Sequence, residues 1–235
     1  MDFYSEFVEY YDFIFPVKSA TVKFLEGLIS DYESHVLDLG CGTAELLNRI
    51  ATNPSKKTGI DIDENMIREA REKFPAASFH SMNITNLNQL NFSFDLIYST
   101  GNVLSYLNAA ELLILAKKIK DSLNKNGKFA AQVVNWDKFN GEYDFSFPSI
   151  TNDEKQLEFR REYKSVSNSN EVEFHTALYK SGEMRFSGES ILHPTLSSEH
   201  EDIFKKAGFT SVEIYGDFTK SVYKEKSPAI ILVCQ

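Results

Sequence analysis

Apolar positions along the chain follow two rhythms. Up to Trp136, short apolar runs alternate with stretches whose apolar residues recur every three or four positions. His35–Leu39 reads as a strand, and Leu46, Leu47 and Ile50 share one face of a helical stretch from Thr43 to about Ala51. Thr58–Ile62 is a second strand, after which Asp63 stands as N-cap of a helix over Glu64–Lys73 that Pro75 ends. Ser78–Ile84 and Phe94–Ser99 are predicted as the third and fourth strands. Ala109–Leu123 is an amphipathic helix, closed by Asn126-Gly127 ahead of a strand over Lys128–Asn135. Such alternation predicts a parallel sheet covered by helices on both faces.

After Trp136 the period drops to two. Leu157, Phe159 and Arg161 alternate with Glu158, Arg160 and Glu162; Val172, Phe174, Thr176 and Leu178 form a second run, Met184 and Phe186 a third. Polar breaks at Ser167–Asn170 and Ser181–Gly182 mark hairpin turns. The pattern predicts an antiparallel insertion over residues 140–195. The helical rhythm then returns at Ser198–Ala207, ended by Gly208, and strands follow at Thr210–Tyr215 and Ala229–Val233.

Composition narrows the classes of function. A length of 235 residues suits one domain over 1–235 with an insertion, and 19 phenylalanines exclude a disordered chain. A formal charge of −9 argues against nucleic acid and against an anionic membrane, which leaves small molecules as partners. The opening MDFYSEFVEYYDFIFP does not read as a signal peptide, and no run is long and apolar enough for a membrane span. Cys41 and Cys234 are far apart, consistent with reduced thiols in a cytoplasm. The histidines lack metal-ligand spacing, so no metal is expected.

The chemistry gathers at HVLDLGCGTAE, residues 35–45, where a strand breaks into glycines before a helix. Open α/β sheets bind ligands at such a junction. Asp61 ends the next strand 19 residues after Gly42, placed to accept bonds from ribose hydroxyls. Glu45 occupies the position of a dinucleotide fingerprint's third glycine and would repel a pyrophosphate. An adenosine ligand without phosphates fits better, and S-adenosylmethionine is one whose ammonium Asp38 could face, directly or through water.

These residues carry a family resemblance. VLDLGCGTA (36–44), GIDIDENMIREAREKFP (59–75), FHSMNI (79–84), FDLIYSTGNVLSYL (94–107) and KKAGFTSVEIYGDF resemble, in order, the class I S-adenosylmethionine-dependent methyltransferases. GNVLSYL, VVNWDKF and SPAIILV resemble the small-molecule branch that includes glycine, sarcosine and amino-sugar N-methyltransferases. The resemblance implies a Rossmann-like three-layer α/β/α sandwich. Its seven-stranded, mostly parallel sheet has an antiparallel last strand. It further implies that Asp38, Gly40, Cys41 and Gly42 hold the methionine part of the cofactor and Asp61 the ribose, with Ile62 and Met66 beside it. Met82, Asn83 and Ile84 would hold the adenine, Ser99 and Gly101 would complete the site, and Tyr11 would belong to an N-terminal helical lid over residues 1–30. Ala44 stands where the family has a third glycine, and Asn83 where it often has Asp.

In-line methyl transfer needs alignment more than any one side chain, so the sequence names catalytic residues poorly. His193 and Tyr106 are the candidates. Asn102, Tyr106, Asn135, Trp136, Arg160 and Arg185 are candidate contacts to the methyl acceptor, with Arg161 and His175 as further positions. Each has an ordinary structural alternative: a turn for Asn102, core cover for Trp136, a solvated sheet face for the arginines. The expected reaction is methylation of a small molecule, most simply an amine, by a monomer or homodimer. A non-catalytic S-adenosylmethionine-binding protein and a nicotinamide-dependent oxidoreductase are the alternatives.

Overall fold

The computed structural model describes residues 8–235, so the first seven residues of the expected N-terminal lid lie outside it. In chain order α1 (Val8–Ile14) and α2 (Ser19–Glu26) lead into β1 (Val36–Leu39), α3 (Glu45–Arg49), β2 (Lys57–Asp61) and α4 (Glu64–Lys73). Next come β3 (Ser78–Ser81), β4 (Phe94–Ser99), α5 (Ala109–Ser122) and β5 (Leu123–Val134). β6 (Phe145–Ser146), β7 (Ile150–Asn152), β8 (Leu157–Ser165), β9 (Val172–Lys180) and β10 (Glu183–Leu192) follow. The chain closes with α6 (Ser197–Lys206), β11 (Val212–Tyr215) and β12 (Ala229–Cys234).

Seven strands form one sheet in the order β11-β12-β5-β4-β1-β2-β3. β1 lies parallel to β2 and β4, β2 to β3, and β4 to β5. β12, the last strand, runs antiparallel to both β5 and β11. This is the expected Rossmann-like arrangement. Side chains alternate between the two covered faces, as a buried parallel sheet requires. Leu37, Leu39, Ile60 and Ile97 pack with Leu112, Leu115 and Ile119 of α5 and Phe204 of α6. Val36, Leu96 and Tyr98 meet Phe24 and Leu25 of α2, Leu47 of α3, and Ile67 and Ala70 of α4. Asp63 caps α4 as predicted, its Oδ1 accepting from the backbone N–H of Asn65 and Met66 at 2.8 and 3.2 Å.

Two boundaries differ from the sequence pattern. α5 runs directly into β5, and Asn126 (φ 69°) lies within that strand where its pairing with β4 slips between Phe94 and Leu96. Asn126-Gly127 is therefore a strand irregularity instead of a helix end. β3 stops at Ser81, because Asn83 caps a 3-10 turn over Ile84–Leu90 that turns the chain away from the sheet.

A second, antiparallel sheet is ordered β10-β9-β8-β6, with β7 also pairing to β8. Ser181 (φ 53°) and Gly182 (φ 81°) form the two-residue β9–β10 turn, where both central positions need positive φ. The inner face makes two apolar patches. Leu157, Phe159, Leu178 and Phe186 pack with Ile14, Tyr10, Tyr11 and Phe15 near the N-terminus. Tyr163, Val172 and Leu192 pack with Trp136, Tyr143 and Tyr106. The insertion thus rests on α1 at one end and on the exit of β5 at the other. No helix among the described residues is long and apolar enough to cross a membrane.

Candidate functional site

The glycine turn follows β1 and leans on the end of β2. Gly40 (φ 82°) and Cys41 both donate their N–H to Ile60 O, at 2.8 and 3.0 Å. A Cβ on Gly40 would stand 2.6 Å from Val103 Cγ2, so glycine is required there for conformation and for space. Gly42 lies under the Tyr11 ring, and its N–H donates to Asp61 Oδ2 at 2.9 Å. Asp61 Oδ1 accepts from the Asp63 N–H at 3.0 Å. Burial pushes the Asp61 carboxyl up from the usual range, against the opposing pull of these backbone bonds. Ala44 adopts φ 64° and is wholly buried, so the residue at the third glycine position keeps the left-handed backbone that glycine adopts freely.

Above the turn, α1 is tied down by Asp12. Its Oδ1 accepts from Thr43 Oγ1 and its Oδ2 from Lys73 Nζ, both at 2.6 Å. Lys73 also faces Glu69 at 3.4 Å and Glu45 at 3.6 Å. Tyr11 is thereby held over the glycines, and burial, with Asp61 and Asp38 nearby, drives its phenol pKa up so that it stays protonated.

Between these parts lies a cavity of about 330 Å³, within the range of small-molecule sites. Of the residues singled out in the sequence, Tyr11, Gly40, Gly42, Asp61, Ile62, Met66, Asn83, Ile84, Gly101 and Tyr106 line it. Ile62 is 61% exposed, an apolar side chain left uncovered beside the cavity. Asp63, Thr100, Val103, Leu107 and Ser190 also line it and were not anticipated. Thr100 precedes GNVLSYL at the exit of β4, and Val103 and Leu107 lie within it, a signal present in the sequence. Ser190 comes from β10, and nothing in its local pattern pointed to it.

Four expected cofactor contacts stand behind this lining. Asp38 is buried, with Oδ2 accepting from Tyr98 OH at 2.7 Å and Oδ1 buried without a partner among the described residues. Desolvation raises its pKa to about 7, with the Asp61 charge adding to the rise and the Tyr98 bond opposing it. Cys41 packs in the core, where burial lifts its thiol pKa. Ser99 donates to Leu39 O at 2.9 Å, and Met82 packs against the α5 side of the sheet. Asn83 lines the cavity, but its Oδ1 already accepts from Thr85 N–H and Oγ1, at 2.9 and 2.8 Å. Both lone pairs are engaged, so its amide NH2, not the expected acceptor oxygen, is what it can offer a ligand.

Most expected acceptor contacts prove structural. Asn102 (φ 70°) accepts from Val134 N–H and Ser105 Oγ, at 2.9 and 2.6 Å, and forms a turn. Asn135 is fully buried, donating to Glu225 O and Ser227 O and accepting from Tyr223 OH. Trp136 is also fully buried, 5.1 Å from the Tyr163 ring, and donates to Ser105 Oγ. Arg160 and Arg185 point to solvent because they occupy outward positions of the strand alternation, and they pair with Glu158 and Glu183 at 2.8 and 3.1 Å. His175 lies between Glu173 and Glu189. His193 faces Glu171 at 3.7 Å and lies outside the cavity lining. Tyr106 alone of the group lines the cavity.

Comparison with known proteins agrees with this geometry. Residues 36–127 match the family described as a methyltransferase domain. A protein of Geobacillus sp. (strain WCH70) that bears a provisional methyltransferase name is 27% identical over 209 residues, covering 85% of this chain and 83% of its own. An S-adenosylmethionine-dependent methyltransferase from Clostridium acetobutylicum ATCC 824 shares the fold with a TM-score of 0.77 at 18% identity, covering 100% of this chain and 99% of its own. The sugar N-methyltransferase KedS8 from Streptoalloteichus sp ATCC 53650 superposes with a TM-score of 0.68 at 16% identity, over 95% of this chain and 91% of its own.

Proposed function

We propose that this chain is an S-adenosylmethionine-dependent methyltransferase (EC 2.1.1.-) and that it passes the methyl group to an amine nitrogen of a small molecule. The residues present suit the cofactor. Gly40 and Gly42 line the cavity without side chains of their own, Asp61 lines it as a candidate acceptor for ribose hydroxyls, and among the described residues Asp38 Oδ1 is a buried acceptor without a donor. An ammonium group, alone or through a water, supplies that donor. Bound S-adenosylmethionine supplies a methyl group already activated on a sulfonium. The chain's own task is to hold donor and acceptor in line and keep water out.

One observation carries the amine reading. Among the described residues, the cavity wall beyond the glycine turn consists of Thr100, Gly101, Val103, Tyr106, Leu107 and Ser190, and holds no carboxylate, histidine or cysteine. A hydroxyl needs a base to take its proton as it attacks, whereas a neutral amine brings its own lone pair. Tyr106 and Ser190 can orient such a nitrogen by accepting its N–H. The superposition on a sugar N-methyltransferase supports the same reading. A methyl-transfer screen over small amines, amino acids, amino sugars and phenols, read by S-adenosylhomocysteine release, tests it. N-methylated products are expected, and turnover confined to hydroxyl acceptors would overturn it.

A further inference from the structure

The charges around the cavity bear on which amine it can take. Its carboxylates, Asp61 and Asp63, line it at the end of β2, and Asp38 is buried behind the lining. Beyond them the wall of Thr100, Val103, Tyr106, Leu107 and Ser190 is uncharged and partly hydroxylic. No lysine, arginine or histidine lines the cavity among the described residues. The first seven residues, MDFYSEF, contain Asp2 and Glu6 but no basic side chain, so they have no cation to add. Lys73, which ties α1 down, is already engaged by Asp12 at 2.6 Å, with Glu69 and Glu45 at 3.4 and 3.6 Å.

An amine must lose its proton before its lone pair can attack. At that moment an amino acid is left with a bare carboxylate and an amine phosphate with its phosphate. Placing either against this wall desolvates a charge with no counter-ion, and Asp61 and Asp63 add repulsion. A carboxylate close to the nitrogen also stabilises the ammonium, which holds back the reactive form. The cofactor's own carboxylate differs, because it keeps a charged ammonium beside it. Hydroxyls meet no such penalty. Thr100 and Ser190 each present one to the cavity, and neither side chain is engaged by another group among the described residues. Each can both donate to and accept from a hydroxyl of the acceptor.

Resting on the methyl-transfer reading, we propose that the acceptor is an amino alcohol and not an amino acid: an amine with hydroxyls, and no carboxylate or phosphate, close to its nitrogen. In the transfer the nitrogen lone pair forms the N–C bond as the methyl–sulfur bond breaks, whose electron pair stays on sulfur. The positive charge gained by nitrogen is then lost as a proton to water.

Matched pairs in which CH2OH replaces the carboxylate test this: ethanolamine against glycine, serinol against serine, and 3-amino-1-propanol against β-alanine. The hydroxyl member should be favoured in kcat/KM by roughly tenfold or more in at least one pair, and the carboxylate member in none. Thermal melts of the S-adenosylhomocysteine complex with the same six compounds read binding where turnover is too slow to measure. Ser190→Lys places an ammonium on the wall and should move the ratios toward the carboxylate members, whereas the uncharged Ser190→Met should not. Thr100→Lys serves the same purpose if Ser190→Lys fails to fold. A carboxylate member favoured or equal, no response to any of the six in either assay, or ratios that a folded lysine variant leaves unmoved overturns the proposal. Failure to bind S-adenosylmethionine in calorimetry would instead sink the methyl-transfer reading itself.

Discussion

With Asp38 facing the cofactor's ammonium, as proposed, cofactor binding should depend on pH in a direction set by the burial of that carboxyl. In the free protein its carboxyl has a pKa raised from 3.8 to about 7 by burial, with Asp61 adding and Tyr98 opposing. At pH 7 it is therefore close to half protonated. An ammonium group brought near Oδ1 favours the carboxylate, so binding must release about half a proton at that pH. Affinity should rise from pH 6 to 7.5 by about eightfold, since the protonated fraction that has to be titrated away shrinks over that interval. At higher pH the ligand's own ammonium loses its proton, which sets the upper limit of the window. The free protein carries the linked stability effect. The folded carboxyl is raised above its unfolded value, so stability falls as pH climbs from about 4 to about 7, by at most about 4 kcal/mol. Titration calorimetry with S-adenosylhomocysteine, in buffers of different ionisation enthalpy, measures the released proton directly. Asp38→Asn should flatten both the buffer dependence and the pH profile. Identical heats in all buffers, with a flat Kd in wild type, would refute the reasoning.

Three further outcomes follow from the same geometry. Asp61→Ala removes the acceptor for Gly42 N–H and Asp63 N–H, so it should lower urea stability by about 2 kcal/mol as well as weaken cofactor binding; an unchanged urea midpoint would contradict the loop-holding role. Asp12→Ala cuts the tie from α1 to Thr43 and Lys73. Stopped-flow displacement should show faster cofactor release at nearly constant melting temperature, and an unaltered off-rate would exclude a closing role for α1. Trp136→Ala empties a fully buried site and should cost about 3–5 kcal/mol by urea titration while leaving cofactor affinity intact. Loss of affinity without loss of stability would return Trp136 to the ligand-contacting group.

The parallel sheet was legible because its strands are buried on both faces and its helices carry their own end signals. Asp63 is one such signal, since a side chain that caps a helix acts over three residues of chain. Where the reading failed, a longer-range effect decided. Asn126-Gly127 has the local chemistry of a helix stop, yet the edge of β4 recruits the whole segment from Leu123 into the ladder. β6 and β7, two and three residues long, exist only because β8 offers them an edge to pair with.

The site divides along the same line. The proposed cofactor half hangs on backbone geometry at the end of β1 and on one carboxylate at the end of β2, both fixed by short segments with recognisable residues. Even Ala44 fits that account: a left-handed backbone at a fully buried position identifies what the turn demands despite the missing glycine. The acceptor half depends on which face of a sheet each side chain takes. Arg160 and Arg161 are adjacent and chemically identical, yet one pairs with Glu158 in solvent and the other shares a row with the buried Thr176 and lays its guanidinium over the Phe147 ring. A shift of one residue in register would exchange them, because strand side chains alternate with a period of two. The property that separates them is set by the pairing of β8 with β9, where Arg161 stands opposite the buried Thr176. Which inserted residue reaches the cavity is therefore set by register, and a one-residue slip of β10 should remove Ser190 from the lining while leaving the glycine turn in place.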